Sequence, residues 1–344
     1  MTPDVDVLVV GGGPVGLAAA AVAAGHGLSV AVVERRAEPV DKACGEGLMP
    51  SAVAALAGLG VDPPGIDFTG IRYVDARGSR SALARFGAGP GRGVRRTALV
   101  DSLAARVDAL GVKRVQADVQ WLERCSDHVV AAGISARWLL GADGLHSTVR
   151  QAIGGLGAPR VRPRYGLRRH FRVRPWTDVV EVHWIEGAEA YVTPVAADVV
   201  GVAVLTDVRG PDHAEWMQRF PALAERLGTA EPASRVLGAG PLEQNVTRRW
   251  SGRVLLVGDA AGYVDALTGE GVSLGMATAQ AAVMCVLEGR PDRYDRRWQA
   301  ATRRYRALTR TVLFAAQHEP LRRAVVPAAV ALPPVFRAAV RSLA

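Results

Sequence analysis

Val5-Asp6-Val7-Leu8-Val9-Val10 runs into Gly11-Gly12-Gly13-Pro14-Val15-Gly16, and an alanine-rich stretch then leads to Ser29-Val30-Ala31-Val32-Val33-Glu34. The apolar run suits a strand covered on both faces, and the alanines favour a helix after the glycine turn. The spaced glycines have separate tasks. Gly11 allows the tight turn, Gly13 removes the side chain that would hold a phosphate away, and Gly16 lets helix and strand pack closely. The helix N-terminus then offers unpaired N–H groups and the positive end of its dipole to an anion, while Glu34 is placed to accept from ribose hydroxyls. Strand, turn, helix, second strand and terminal acid together predict a dinucleotide-binding unit.

The chain has 344 residues and a formal net charge of +9, enough length for one large or two modest domains around a buried core. Lys42 and Lys113 are the only lysines, and the arginines lie in scattered pairs such as Arg95-Arg96, Arg168-Arg169 and Arg303-Arg304. Without a basic arm or aromatic interleaving, this pattern speaks against nucleic acid as a partner. It reads as biased composition that also attracts phosphate cofactors. Cys44, Cys125 and Cys285 are odd in number and far apart, which disfavours a disulfide framework or a metal site. Asp4 and Asp6 interrupt any apolar leader, and no later run approaches the ~20 uncharged residues of a membrane span. A soluble, cytoplasmic protein without stable membrane insertion is expected.

Beyond Glu34 a loop over 35–47 carries Asp41-Lys42-Ala43-Cys44-Gly45-Glu46-Gly47, in which two glycines flank an acid and suggest close backbone approach. Cys44 reads either as a small buried filler or as a reactive thiol. A helix is predicted over 50–56, strand-like alternation over 66–96, and a helix ending at Leu110. Short strands follow over 112–116, 119–122, 129–132 and 136–140, the last ending in Gly141-Ala142-Asp143-Gly144. Ser147 is placed to cap the next helix, and His146 beside it reads as a solvated turn residue.

Strands over 165–173, 179–185, 189–193 and 199–205 predict an antiparallel sheet and hence a second domain. Arg168, His170, His183 and Tyr191 are polar handles on it, facing either substrate or solvent. A helical segment over 212–227 and an extended return over 236–249 follow. The buried strand before Gly258-Asp259 again ends in a carboxylate, and Thr268-Gly269-Glu270-Gly271-Val272 opens a helix over 273–287 whose N-terminus suits developing negative charge. The tail from residue 294 is helical, basic and apolar by turns. It reads as a cover across the molecule, with a membrane-surface helix as the alternative.

Gly11-x-Gly13-x-x-Gly16 with Glu34, Gly141-Ala-Asp143-Gly144 with Ser147 and Arg150, and Gly258-Asp259 with Gly269-Glu-Gly271 stand in this order along nearly the whole chain. The combination resembles the superfamily of FAD-dependent aromatic hydroxylases (group A flavoprotein monooxygenases) and geranylgeranyl reductases. The resemblance implies an α/β chain in three parts. A discontinuous Rossmann-type FAD-binding domain takes 1–65, 95–160 and 250–290, an inserted antiparallel-sheet substrate domain takes 66–94 and 161–249, and C-terminal helices take 291–344. It implies FAD held along Gly11, Gly13, Pro14, Val15, Gly16, Glu34, Arg35, Cys44, Gly45, Gly47, Arg96, Asp143, Gly144, Gly258, Asp259, Gly269, Glu270, Gly271 and Val272. NAD(P)H would serve as a transient reductant, or a separate reductase would supply electrons.

Two chemistries divide the superfamily. Lys42-x-Cys44-Gly45-Glu46-Gly47 and Thr268-Gly-Glu-Gly271 look like the prenyl-reductase branch, whereas Tyr191-Val-Thr-Pro194 and Ala266 depart from that branch's aromatic pattern and usual proline. A halogenase would carry Trp-x-Trp-x-Ile-Pro, which the sequence lacks. The expectation is a monooxygenase that hydroxylates an aromatic, phenolic or polyketide-type small molecule with NAD(P)H and oxygen, His183 or Tyr191 deprotonating the phenol. The alternative is reduction of an isoprenoid double bond.

Overall fold

The computed structural model describes residues 2–37 and 41–342. Residues 38–40 of the 35–47 loop, residue 1 and the last two residues of the tail lie outside the described residues. Strand Val5–Val10 is central to the first sheet, with Ile134–Gly141 parallel to it on one side and Val30–Glu34 on the other. Val254–Leu256 extends the sheet beyond Ile134–Gly141, and Lys113–Gln116 extends it beyond Val30–Glu34, both in parallel. Val7, Leu8 and Val9 are wholly buried, so both faces of this sheet are covered. The first helix, Pro14–Gly25, has Pro14 in its first turn and a nearly continuous alanine face against the core.

The glycine spacing has a steric cause visible in the backbone. Gly11 adopts φ +113°, and a Cβ there would meet the Ala142 carbonyl oxygen at 2.4 Å. A Cβ on Gly16 would lie 1.9 Å from the Gly11 carbonyl oxygen. Turn, helix and the Ile134–Gly141 strand are therefore pressed together backbone against backbone.

The second sheet runs in the spatial order Glu231–Pro232, Tyr165–Arg172, Val199–Thr206, Ala188–Ala196, Val180–Ile185, Gly70–Val74 and Ser81–Arg85. Most pairs are antiparallel, but Val180–Ile185 and Gly70–Val74 run parallel, so the sheet is mixed. The parallel pair arises because Gly70–Val74 belongs to the earlier excursion and docks beside a strand contributed about a hundred residues later (Val180 pairs with Ile71). A third, three-stranded sheet joins Gly47–Leu48, Gly91–Gly93 and Ile66–Phe68 at the seam. A Cβ on Gly93 would lie 1.7 Å from the Pro194 carbonyl oxygen, so backbone meets backbone at this seam too.

The strand expected over 119–122 does not form. Val119 is buried and Trp121 is 62% exposed, and the short strand lies one step later, at Glu123–Arg124. The 212–227 segment is two helices, His213–Gln218 and Pro221–Leu227, because Pro221 starts a new helix. The tail forms helices Tyr294–Gln317, Glu319–Ala331 and Pro333–Arg341, which cover one face of the second sheet through Leu313, Val326, Phe336 and Val340. No single helix among the described residues is long and apolar enough to cross a membrane; the last two helices pass by composition only as a pair bent by 101°.

Gly16→Ala forces a methyl group onto the Gly11 carbonyl, so the helix must retreat from the strand. Overpacking of this kind costs about 1–3 kcal/mol or more. Thermal melting of the purified chain is expected to show a clearly lowered Tm, and an unchanged Tm would refute this steric account.

Candidate functional site

A cavity of about 400 Å³ opens between the two large sheets. One end lies at the carboxyl edge of the parallel sheet, the position where open α/β sheets bind ligands. Gly11, Gly13, Pro14, Val15, Glu34, Arg35, Arg96, Asp143, Gly144, Gly258 and Asp259 all line it. So do Cys44, Gly45, Gly47, Gly269, Gly271 and Val272. Three candidates do not. Gly16 acts beneath the wall, in packing, while Glu270 and His183 are off the cavity surface.

The geometry suits a long phosphate-bearing cofactor. A Cβ on Gly13 would meet only the Arg96 guanidinium, at 3.4 Å, so the glycine leaves open space directly under the N-terminus of helix Pro14–Gly25. The Glu34 carboxylate is held by the Gly12 amide at 2.8 Å and the Arg36 amide at 3.1 Å, which keeps it oriented at the wall. Arg96 opens helix Arg96–Ala109 and its Nε is buried without a partner, a donor waiting for an acceptor. Lys42 lines the same end. Desolvation, then the charges of Arg96 and Arg36, hold its ammonium below the usual lysine range, a field that favours an incoming anion. Asp259 is pushed up by desolvation against the pull of Arg96, Lys42 and Arg150.

Two of the separated motifs meet through one side chain. The Arg150 guanidinium donates to the Leu145 carbonyl at 2.6 Å, to Gln244 Oε1 at 2.7 Å and to the Ala260 carbonyl at 3.3 Å, tying the Asp143-Gly144 turn to the Gly258-Asp259 turn. Ser147 caps helix Thr148–Ala152 by accepting from the Arg150 amide at 2.8 Å. Asp143 accepts from the Val149 amide at 3.1 Å, and its Oδ1 is buried without a partner.

The sheet's polar handles resolve differently from the expectation. Strand Val180–Ile185 is buried on both faces. Val180, Val182 and Trp184 face the cavity side, so His183 faces away, with Nε2 3.2 Å from Glu181 Oε2. It touches no part of the cavity wall and is withdrawn as a base. Tyr191 does line the cavity, but its hydroxyl donates to the Leu267 carbonyl at 3.0 Å, and desolvation with the Glu189 charge pushes its ionisation well above the ordinary value. It cannot serve as a base near neutral pH; it positions the 263–270 loop.

Several partnerships escaped the sequence reading. Arg168 and His170 do not face solvent: both are buried, and His170 Nε2 lies 2.5 Å from Glu46 Oε2. Glu46 Oε1 accepts from the Arg96 amide at 2.9 Å, and Arg168 bridges to Asp41 at 2.5 Å. The glycines beside Glu46 were the available signal. Arg164 is buried against Glu189 and Asp265, and Asp265 Oδ1 also accepts from the Leu267 amide at 3.1 Å. Ala117, Asp118 and Val119 line the cavity beyond Glu34, where the ends of adjacent parallel strands come together.

A sequence model of an FAD binding domain family matches residues 4–64 and 108–293. A menaquinone reductase from Mycolicibacterium smegmatis is 31% identical over 334 residues, covering 87% of this chain and 80% of the relative. Digeranylgeranylglycerophospholipid reductase 1 from Methanothermobacter thermautotrophicus is 28% identical over 320 residues, covering 84% of this chain and 79% of the relative. Among solved structures, a flavoprotein/dehydrogenase from Cytophaga hutchinsonii shares the fold with a TM-score of 0.85 at 18% identity, over 98% of this chain and 92% of that one. The chain belongs to the FAD-binding domain family and is an FAD-dependent oxidoreductase.

Arg96→Gln removes a charged donor from the cavity wall. Charge-assisted hydrogen bonds contribute about 1.5–3 kcal/mol, so FAD affinity, titrated by flavin fluorescence, is expected to fall at least about tenfold. Glu270 gives a pH signature. Its carboxyl, with Oε2 buried and unpartnered, is pushed up from the ordinary 4.5 to about 7 by desolvation, with Arg304 opposing. A folded-state pKa raised in this way means that ionisation costs stability above pH 7 and nothing below 4.5. Glu270→Gln should therefore melt higher than the parent above pH 7, the gap closing as pH falls to 4.5; a gap independent of pH would contradict this.

Proposed function

We propose that the protein reduces a carbon–carbon double bond of an isoprenoid chain, with NAD(P)H as the ultimate reductant. The observation that carries this reading is the aliphatic share of the cavity's far wall, where Met49, Leu167, Val180, Leu205, Leu242 and Ala266 outnumber the polar and aromatic Arg168, Tyr191, Thr193 and Tyr263. Such a surface gains from each methylene it desolvates, about 0.8 kcal/mol apiece, and so suits a hydrocarbon chain better than a hydroxylated ring. The names of the menaquinone and digeranylgeranylglycerophospholipid reductase relatives support the same substrate class.

Bound FAD, once reduced by NAD(P)H, would supply the hydride for this chemistry. The chain's own part is to bind, orient and exclude water. Gly269, Gly271 and Val272 bring the N-terminus of helix Gly271–Leu287 to the wall, where its dipole favours negative charge. Tyr191 fixes the loop before that helix through Leu267, and Thr193 fixes the Cys44-containing loop by donating to the Gly45 carbonyl at 2.8 Å. Cys44 lines the cavity and is a protic group available for the second carbon.

Anaerobic turnover distinguishes the reading from a monooxygenase. FAD-loaded protein incubated without oxygen, with NAD(P)H or dithionite and a prenylated quinone, is expected to yield a product that, once its ring is reoxidised to the quinone, is two mass units heavier per prenyl double bond reduced. Product that forms only after oxygen is admitted, with incorporation of an oxygen atom, would overturn the proposal in favour of hydroxylation.

A further inference from the structure

A second, smaller recess of about 20 Å³ adjoins the cofactor cavity, and Tyr263 lines both. Arg249 reaches it from the extended return, and Arg306 and Arg310, one helical turn apart on Tyr294–Gln317, reach it from the tail. Arg160 adds its charge nearby. Trp298 organises two of these groups: the Arg249 guanidinium carbon lies 3.6 Å from the ring centroid and that of Arg306 lies 4.8 Å from it. Stacking of this kind fixes the planar forks in advance of any ligand.

The charges here are not balanced. Asp295 meets Arg249 at 3.4 Å, and the Glu243 carboxylate is engaged by the amides of Arg160 at 2.7 Å and Val161 at 3.1 Å. Arg306 and Arg310 pair with no carboxylate among the described residues, and Arg249 Nε is buried without a partner. Desolvation, followed by the charges of Arg310, Arg249 and Arg160, pushes Arg306 down to about 10. Arg249 and Arg306, partly buried together, carry an electrostatic cost that a bound anion lowers.

We propose that this recess binds a phosphate ester anion, the phosphate group of a phosphorylated small molecule, through Arg249, Arg306 and Arg310. The recess admits about one oxygen-sized group, so one phosphate oxygen seats in it while the others stay at the mouth, where Arg310 is exposed, and the rest of the ligand lies outside. Arginine forks match phosphate oxygens in pairs, which gives both strength and orientation. Two sources have this chemistry, a phosphorylated nicotinamide reductant and the diphosphate head of a prenyl compound. The proposal stands whichever chemistry the flavin site performs.

The test uses the full FAD-loaded chain and calorimetric titration with inorganic phosphate, 2′,5′-ADP and geranyl diphosphate. At least one probe is expected to bind, more weakly at higher salt. Arg306→Gln and Arg310→Gln should each weaken it by about tenfold, with FAD content and Tm retained. Arg310 is exposed, so its substitution keeps the test valid if the Arg306 variant fails to fold. Stronger binding of 2′,5′-ADP, in competition with NADPH, assigns the site to the reductant. Stronger binding of geranyl diphosphate assigns it to the prenyl head, and equal binding of all three assigns recognition to phosphate alone. Binding of none of the three, or undiminished binding by the variants, overturns the proposal.

Discussion

The molecule depends on one buried carboxylate. Glu46 is 4% exposed and sits in the left-handed region, with φ 58°, between the parallel sheet and the second sheet. One oxygen takes the amide at the start of helix Arg96–Ala109, and the other meets His170 on the strand Tyr165–Arg172. Its backbone carbonyl accepts from the Val94 amide at 2.8 Å. Taking an ionised carboxylate out of water costs several kcal/mol, recovered only when geometry supplies enough donors. The arrangement is therefore specific: a slide of either sheet would leave the charge without partners, and the cavity between the sheets keeps one shape.

That seam explains what could be read from residues and what could not. The glycine fingerprint was legible because its constraint is local: the reasons for Gly11 and Gly16 are backbone distances within one strand–turn–helix unit and its neighbour. The carboxylates at strand ends, Glu34, Asp143 and Asp259, were legible for a related reason, since a polar residue following an apolar run marks where a strand leaves the core. The facing of His183 was not. Alternation assigns residues to two faces but names the cavity face only when the other is wet, and every position of Val180–Ile185 is buried.

Arg168 and His170 were left open between substrate and solvent for the opposite reason. Polar residues at alternate positions look like an exposed face, but here that face meets Glu46 and Asp41 from a loop more than a hundred residues earlier. No window of sequence contains such a partnership. The flanking glycines of the 44–47 segment signalled close approach without saying to what. The same holds for Arg164, Glu189 and Asp265, which come from three separate segments to brace the 263–270 loop.

The division of the cavity follows from where each sheet presents its chain. The parallel sheet meets the cavity with its strand ends, where amides leave the ladder and are free to hold a charged cofactor. The second sheet meets it with strand interiors such as Val180, Tyr191 and Leu205, whose backbone groups are already spent on neighbouring strands. Only side chains remain to face a ligand there, and those side chains are mostly aliphatic. A polar end and an apolar end of one cavity are thus one consequence of setting strand ends against a strand face. That is why the residues at the strand-end side of the cavity were readable as motifs, while its opposite wall required the side chains of the second sheet to be placed in three dimensions.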